Sequence, residues 1–176
     1  MATATLTIET GFAPIIGDSP RFLILGSMPG VKSLADQRYY AHPRNAFWPI
    51  MATLFDFDPA LAYEARCALL TQSGVAVWDV LQACHRPGSL DANIDNATMV
   101  INDFKNLFGQ HPSFSHVFFN GAKAESVFQH VLPTLSESQL LSLSMQRLPS
   151  TSPAHAAMSF EQKLGHWETA FIPAVT

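Results

Sequence analysis

Four short stretches concentrate the side chains that could do chemistry. The first is Gly26-Ser-Met-Pro-Gly30-Val-Lys32, with two glycines around a proline. Gly26 and Gly30 allow tight turns and close approach of backbone to a ligand, and exposed N–H groups in such a turn suit an anion such as a phosphate. An ordinary strand-to-helix turn has the same signature, and the Gly-Lys-Ser/Thr ending of a P-loop is absent. The second stretch, Gln37-Arg-Tyr-Tyr-Ala-His-Pro-Arg-Asn-Ala-Phe-Trp48, crowds two tyrosines, a histidine, two arginines and an asparagine into one loop. Tyr39 and Tyr40 could stack on a planar base, and Arg38 and Arg44 could meet phosphates. Phe47 and Trp48 read as core. Asp79 stands alone after Val75-Ala-Val-Trp78, and the fourth stretch is Pro149-Ser-Thr-Ser-Pro-Ala-His155.

The elements that must position these residues follow from periodicity. Phe22-Leu-Ile-Leu25, Gly74 to Val80 and His116-Val-Phe-Phe119 are short apolar runs, read as buried strands. Leu141 to Leu148 alternates leucine with polar residues and predicts a strand with one exposed face. Helices are expected at Ala46–Leu54, from Asp58-Pro59 to about Leu70, from a cap at Asp95 or Asn96 to Phe108, and over Ala122–Val131. A last helix, running to about Phe171, should open with the capping box Ser159-Phe-Glu-Gln162. Residues 1–20 read as irregular, Gly26 to about Arg44 as one long loop, and residues 83–95 as a loop. Alternation of strand and helix predicts a layered α/β domain on a mostly parallel sheet, and in such sheets ligands bind beyond the carboxyl ends of the strands. Each of the four strands ends in one of the polar or Gly/Pro-marked segments: Gly26–Gly30, Asp79, Asn120-Gly121 and Pro149–His155.

Gly26-Ser-Met-Pro-Gly30, Tyr39-Tyr-Ala-His-Pro-Arg-Asn-Ala-Phe-Trp48 and Leu148-Pro-Ser-Thr-Ser-Pro-Ala-His155 resemble the uracil-DNA glycosylase superfamily. Within it they look most like the hypoxanthine-DNA (deoxyinosine) glycosylase branch. The resemblance spans roughly residues 20–170. It implies a three-layer sandwich around a four-stranded, mainly parallel sheet, and excision of a deaminated base by flipping it out of DNA and hydrolysing its N-glycosidic bond. It points to Asn45, the asparagine of His-Pro-x-Asn, as the residue that holds the attacking water. Tyr40 resembles the base-stacking position and Asp79 the position that reads the base edge. Hypoxanthine offers N1–H as donor and O6 as acceptor, so a carboxylate could accept from N1–H. A strand-end aspartate capping a local turn is the bland alternative for Asp79. Ser27 and Met28 would border the base, with Gly30, Lys32 and Arg44 toward the DNA backbone.

Two departures bear on chemistry. Many relatives place a polar water-holder where this chain has Met28, which can neither activate nor orient water. Some carry a histidine where this chain has Leu148. Support for the leaving base then falls to Ser150 and Ser152, with His155 on DNA backbone or leaving group, or simply structural. Asp91 and Asp95 read first as turn and cap residues.

The chain has 176 residues, 48% hydrophobic and 14% charged, enough for one packed domain over residues 1–176 and against bulk disorder. Its net charge of −4 argues against a generic nucleic-acid binder. Yet six of the ten basic residues (Lys32, Arg38, Arg44, Arg86, Lys123 and Arg147) fall in or beside the strand-end segments, against four of the fourteen acids (Asp36, Asp79, Asp91 and Asp95). A positive rim on an acidic body is expected. Two cysteines, Cys67 and Cys84, suggest free thiols rather than a disulfide frame or metal set, and relatives with an iron–sulfur cluster use four. No cofactor or metal is expected. The N-terminal residues lack a secretory pattern and no apolar run reaches bilayer length, so a cytoplasmic location is expected. The resemblance implies single- or double-stranded DNA as the partner, and a monomer is expected. Removal of uracil or xanthine, a non-catalytic damage-binding module and a small-molecule nucleotide enzyme remain as alternatives.

Overall fold

A computed structural model describes residues 6–175. Its central sheet holds β2 (Phe22–Gly26), β3 (Val75–Asp79), β6 (His116–Asn120) and β7 (Ser144–Leu148), in the order β3-β2-β6-β7. All three pairings are parallel. Gly26 lies level with Asp79, and Asn120 with Leu148, so the strands finish in one row. The central strand is apolar at every position because helices cover both faces. Leu23 and Leu25 pack with Phe104, Leu107, Val127 and Phe128 on one side. Phe22 and Ile24 pack with Phe47, Ile50, Met51, Trp167 and Phe171 on the other. Full burial of side chains this size is worth roughly 1.5–3 kcal/mol each.

The face holding Phe22 and Ile24 is covered by α2 (Phe47–Leu54), α3 (Tyr63–Gln72) and α7 (Phe160–Val175). The opposite face is covered by α4 (Phe104–Gln110) and α5 (Ala122–Phe128). Ser159 and Gln162 exchange both capping bonds at the start of α7, at 3.2 and 2.9 Å, as the sequence predicts. Among the described residues no helix is long and apolar enough to cross a membrane.

Several elements differ from expectation. A second, antiparallel sheet joins β1 (Glu9–Thr10), β4 (Leu81–Cys84) and β5 (Val100–Ile101). The N-terminal segment is therefore partly ordered as a strand, though residues 1–5 of the expected irregular region lie outside the described residues. The loop expected at 83–95 begins inside β4. The helix expected from Asp95 to Phe108 is split. Asp95 caps a single turn by accepting from Ala97 N–H, β5 pairs with β4, and Asp103 caps α4 by accepting from Asn106 N–H. Each polar residue offered its own start, and pairing with β4 decided the middle. The helix expected from Pro59 begins at Tyr63, because Asp58 closes a turn on Ala60 and Leu61 instead. The long loop after Gly26 contains α1 (Val31–Asp36). The strand expected from Leu141 starts at Ser144, since Ser136 and Gln139 form a capping box that opens α6 (Glu137–Ser142).

Candidate active site

The row of strand ends opens into a cleft of about 810 Å³. Gly26, Asp79, Asn120 and the segment after Leu148 meet there, as the strand-end pattern requires.

The floor is built by β2 and β3. A Cβ on Gly26 would collide with Asp79 Oδ1 and lie 3.2 Å from the Tyr40 hydroxyl, so the strand end needs glycine for space rather than for its dihedral angles. Asp79 is 4% exposed and its Oδ2 has no hydrogen-bond partner. Burial, then the negative charge of Asp91, raise its pKa to about 7, with Arg86 offsetting part of the rise. Among the described residues no side chain caps this carboxylate, and its role as a turn cap is not what the geometry offers. Asn102 bonds the Asp79 main-chain carbonyl instead, at 2.9 Å.

The Gly26–Gly30 wall is held from beneath by Arg86. This side chain is buried, with Nη atoms donating to Met28 O at 3.3 Å, Pro29 O at 2.5 Å and Glu9 Oε2 at 2.9 Å. Its expected place on a positive rim is therefore a correction. Three main-chain and side-chain acceptors draw Arg86 inward, and Glu9 neutralises it. Ser27 donates to Asp91 Oδ1 at 2.5 Å, so Asp91 belongs to the cleft rather than only to a turn. Met28 is buried against Leu23 and Leu25 and also borders the cleft, which explains an apolar residue at this position by packing.

The second wall is the segment Tyr39–Asn45. Tyr39 is core: its hydroxyl donates to Ala13 O at 3.0 Å and its carbonyl accepts from Trp48 Nε1 at 3.0 Å. Tyr40, in left-handed backbone at φ 54°, turns into the cleft. One face of its ring stacks on Phe47, with centroids 3.9 Å apart and planes 18° apart. Only the opposite face and the edge are then left for a ligand. Burial and the nearby Asp79 charge hold its phenol protonated, far above the usual range. Asn45 lines the cleft, and its Oδ1 accepts from Phe47 N–H at 2.9 Å. That bond fixes the side chain at the start of α2 and leaves the oxygen one lone pair. His42 Nδ1 accepts from Arg44 N–H at 3.1 Å, and the Arg44 side chain stands outside the cleft lining.

The third wall carries Asn120 and Pro149–His155. Asn120 and Thr151 exchange two hydrogen bonds, both 2.9 Å, and the Thr151 carbonyl accepts from Ala46 N–H at 3.0 Å. Thr151 thus locks the third wall to the residue after Asn45. Gly121, at φ 101°, sits against Ser150, where a Cβ would come within 3.1 Å. Ser150 Oγ accepts from Ser152 N–H at 3.2 Å, and Ser152 Oγ from Ala154 N–H at 3.2 Å, leaving both hydroxyl protons to donate. Lys163, its charge disfavoured by burial, donates to Ser152 O at 3.2 Å. His155 borders the cleft and its buried Nε2 has no partner.

Of the eleven residues singled out from sequence, Ser27, Met28, Gly30, Lys32, Tyr40, Asn45, Asp79, Ser150 and Ser152 border the cleft. His155 joins them and Arg44 does not. Thr151, Asp91 and Arg86 carry the construction of the site, and their roles depend on partners 31, 64 and 77 residues away, beyond any local pattern. Of the remaining rim cations, Lys32 pairs with Asp36 at 3.1 Å, Arg38 with Glu64 at 3.6 Å and Arg147 with Glu125 at 3.2 Å. Lys123 donates to Asn96 Oδ1 at 3.1 Å.

Residues 14–175 match the family model of the uracil DNA glycosylase superfamily. A hypoxanthine DNA glycosylase of Methanosarcina acetivorans is 31% identical over 165 residues, covering 93% of this chain and 98% of that protein. A second hypoxanthine DNA glycosylase, from Methanosarcina barkeri, is 36% identical over 117 residues, covering 66% of this chain and 73% of that protein. The solution structure of a putative uracil DNA glycosylase from Methanosarcina acetivorans superposes with a TM-score of 0.78 at 31% identity, over 94% of this chain and 97% of the other. With the family model matching residues 14–175 and a relative 31% identical over 93% of the chain, the chain belongs to the uracil DNA glycosylase superfamily.

Proposed function

We propose that this chain is a monofunctional DNA glycosylase that removes hypoxanthine, with the cleft taking the extruded nucleotide. The observation that carries the substrate is Asp79, a buried carboxylate with an unpartnered oxygen beside Gly26 and Tyr40. A buried acceptor without a donor costs roughly 1–3 kcal/mol or more until a ligand supplies one. Hypoxanthine N1–H is such a donor, whereas adenine has at N1 a bare acceptor that would face the carboxylate unfavourably; uracil N3–H and xanthine N1–H are donors of the same kind. The named activity of the two Methanosarcina relatives supports the same substrate.

In this mechanism the free face of Tyr40 meets the base and Asp79 accepts from N1–H. Asn45 holds a water through its remaining lone pair, near the sugar C1′. Water oxygen bonds to C1′ as the C1′–N9 bond breaks, the bond pair leaves with the purine, and the proton that the water sheds passes through solvent to neutralise the purine anion. Asparagine is no base, so the barrier falls through positioning and electrostatic support of an oxocarbenium-like transition state. Ser150 donates toward the departing base. With the water as nucleophile no amine intermediate forms, hence a hydrolase without a lyase step.

Oligonucleotides carrying one hypoxanthine, uracil or xanthine, incubated with the protein and then cleaved with alkali, test the proposal. Strand cleavage at hypoxanthine above the other two is expected. Preference for uracil or xanthine would reassign the substrate. Met28 favours one competing reading, a damage-binding module, which would show as binding without cleavage.

A further inference from the structure

A second pocket, of about 300 Å³, shares Tyr39, Tyr40, His42 and Asn45 with the cleft, so one stretch of chain is the wall between the two. Its other side is cationic and aromatic. The Arg66 guanidinium lies 4.5 Å from the Trp48 ring centre and 5.9 Å from that of Tyr63, and Arg38 lies 5.3 Å from Tyr63. Arg66 Nε is buried without an acceptor, and no hydrogen bond or ion pair among the described residues uses its guanidinium. A cation held on aromatic faces, facing a pocket and lacking an anion, is poised for one.

The acids nearby are committed or replaceable. Asp36, which lines the pocket, is bonded to Lys32 at 3.1 Å. Glu64 meets Arg38 at 3.6 Å with both side chains largely exposed, an arrangement worth little and easily exchanged for a stronger anion. Pro43, Pro49 and Pro59 supply wall without N–H groups, and the arginine forks are the charged donors facing the pocket. Tyr63 is approached by both guanidinium groups and lies nearly perpendicular to Trp48, at 81°, so its ring is already engaged by protein groups.

We propose that Arg38 and Arg66 form a phosphodiester subsite that grips the DNA backbone next to the extruded nucleotide, one wall away from the base cleft. The proposal rests on DNA being the substrate and adds the place where the strand is held. Guanidinium forks bind phosphate in bidentate fashion, and the stacked ring partners keep them oriented before DNA arrives. The shared wall couples the two pockets, so a phosphate seated here sets where Tyr40 and Asn45 meet the nucleotide.

Fluorescence anisotropy on hypoxanthine-containing duplex over a series of salt concentrations gives the test. The double variant Arg38→Gln, Arg66→Gln should bind about tenfold more weakly, and its log–log salt slope should shrink by about 1, the share of one phosphate contact. Loss in excision should fall mainly in KM. Arg66→Lys, which keeps the charge and loses the fork, should lie between. Arg38→Gln alone disturbs only an exposed side chain, so part of the slope change must survive in it even if Arg66 variants unfold. Arg21→Gln, at the opposite end of β2, should leave the slope unchanged. A wild-type protein that binds duplex, with variants of unchanged slope, overturns the subsite alone. A wild-type protein that ignores DNA overturns the proposed function and the subsite with it.

Discussion

Asp79 sets two opposing demands on one side chain. Its pKa in the folded state, about 7 against 3.8 for the free group, means that the folded chain binds this proton more tightly. The resulting stability is fully present below pH 3.8 and is lost as pH rises through about 7. The span is on the order of 4 kcal/mol as an upper bound. Asp79→Asn should therefore raise thermal stability relative to the wild type at pH 8 and do so much less at pH 5, seen as Tm against pH. The same substitution should change base preference, because an amide offers both a donor and an acceptor where the carboxylate offers only acceptors. In the wild type, kcat/KM for hypoxanthine should rise through pH 7 as the carboxylate ionises. A Tm difference independent of pH would mean Asp79 titrates normally. Asn45 serves both a helix start and, in the proposed mechanism, a water. Asn45→Ala should lose on the order of 100-fold or more in excision rate while keeping DNA affinity, and about 1 kcal/mol of stability from the lost bond to Phe47 N–H. Asn45→Ser should restore the helix start but not the rate. Excision at the normal rate by either variant would remove Asn45 from the water's path.

At the scale of elements, the cleft stands on connections between distant segments. The strand β1 brings Glu9 to Arg86, and Arg86 holds the carbonyls of Met28 and Pro29. Removing one member of a buried pair strands the other, at a cost of about 3–5 kcal/mol. Arg86→Met should lower Tm on the order of 10 °C in a chain of this size, and weaken hypoxanthine excision in the molecules still folded. A stable variant with normal excision would show that the Gly26–Gly30 wall holds its shape without this support. Thr151 plays the matching part on the other side, since its bonds to Asn120 and Ala46 tie the third wall to the second.

Over the whole molecule, charge is divided rather than abundant. A net charge of −4 repels duplex in general, and most rim cations already touch a local acid. Affinity for undamaged duplex should be weak, in the range of non-specific binding near 10⁻⁴–10⁻⁶ M, and should fall steeply with salt. Titration of undamaged and hypoxanthine-containing duplexes side by side checks this, and equal, salt-insensitive affinities would contradict it. Weak general binding leaves discrimination to the cleft.

The alternation of apolar strands and helices, the row of polar strand ends and the two conspicuous loops were all legible in the chain itself. Local sequence fixes which residues prefer burial, where a strand must stop and which side chains can act. Hence the segments carrying Tyr40, Asn45, Asp79 and Ser150 could be placed at the strand ends from the chain itself, while the resemblance to the glycosylase superfamily singled out these residues within them. The small sheet, the inward turn of Arg86 and the closure of Thr151 on Asn120 could not. A two-residue strand such as Glu9–Thr10 has almost no signal of its own, and exists because β4 offers it a partner across more than seventy residues. Whether a cation faces solvent or the underside of a loop depends on which acceptors the folded chain brings within about 3 Å of it. Residue chemistry is written locally, whereas desolvation and pairing, which raised the Asp79 pKa and buried Arg86, come into being only when remote segments close on one another.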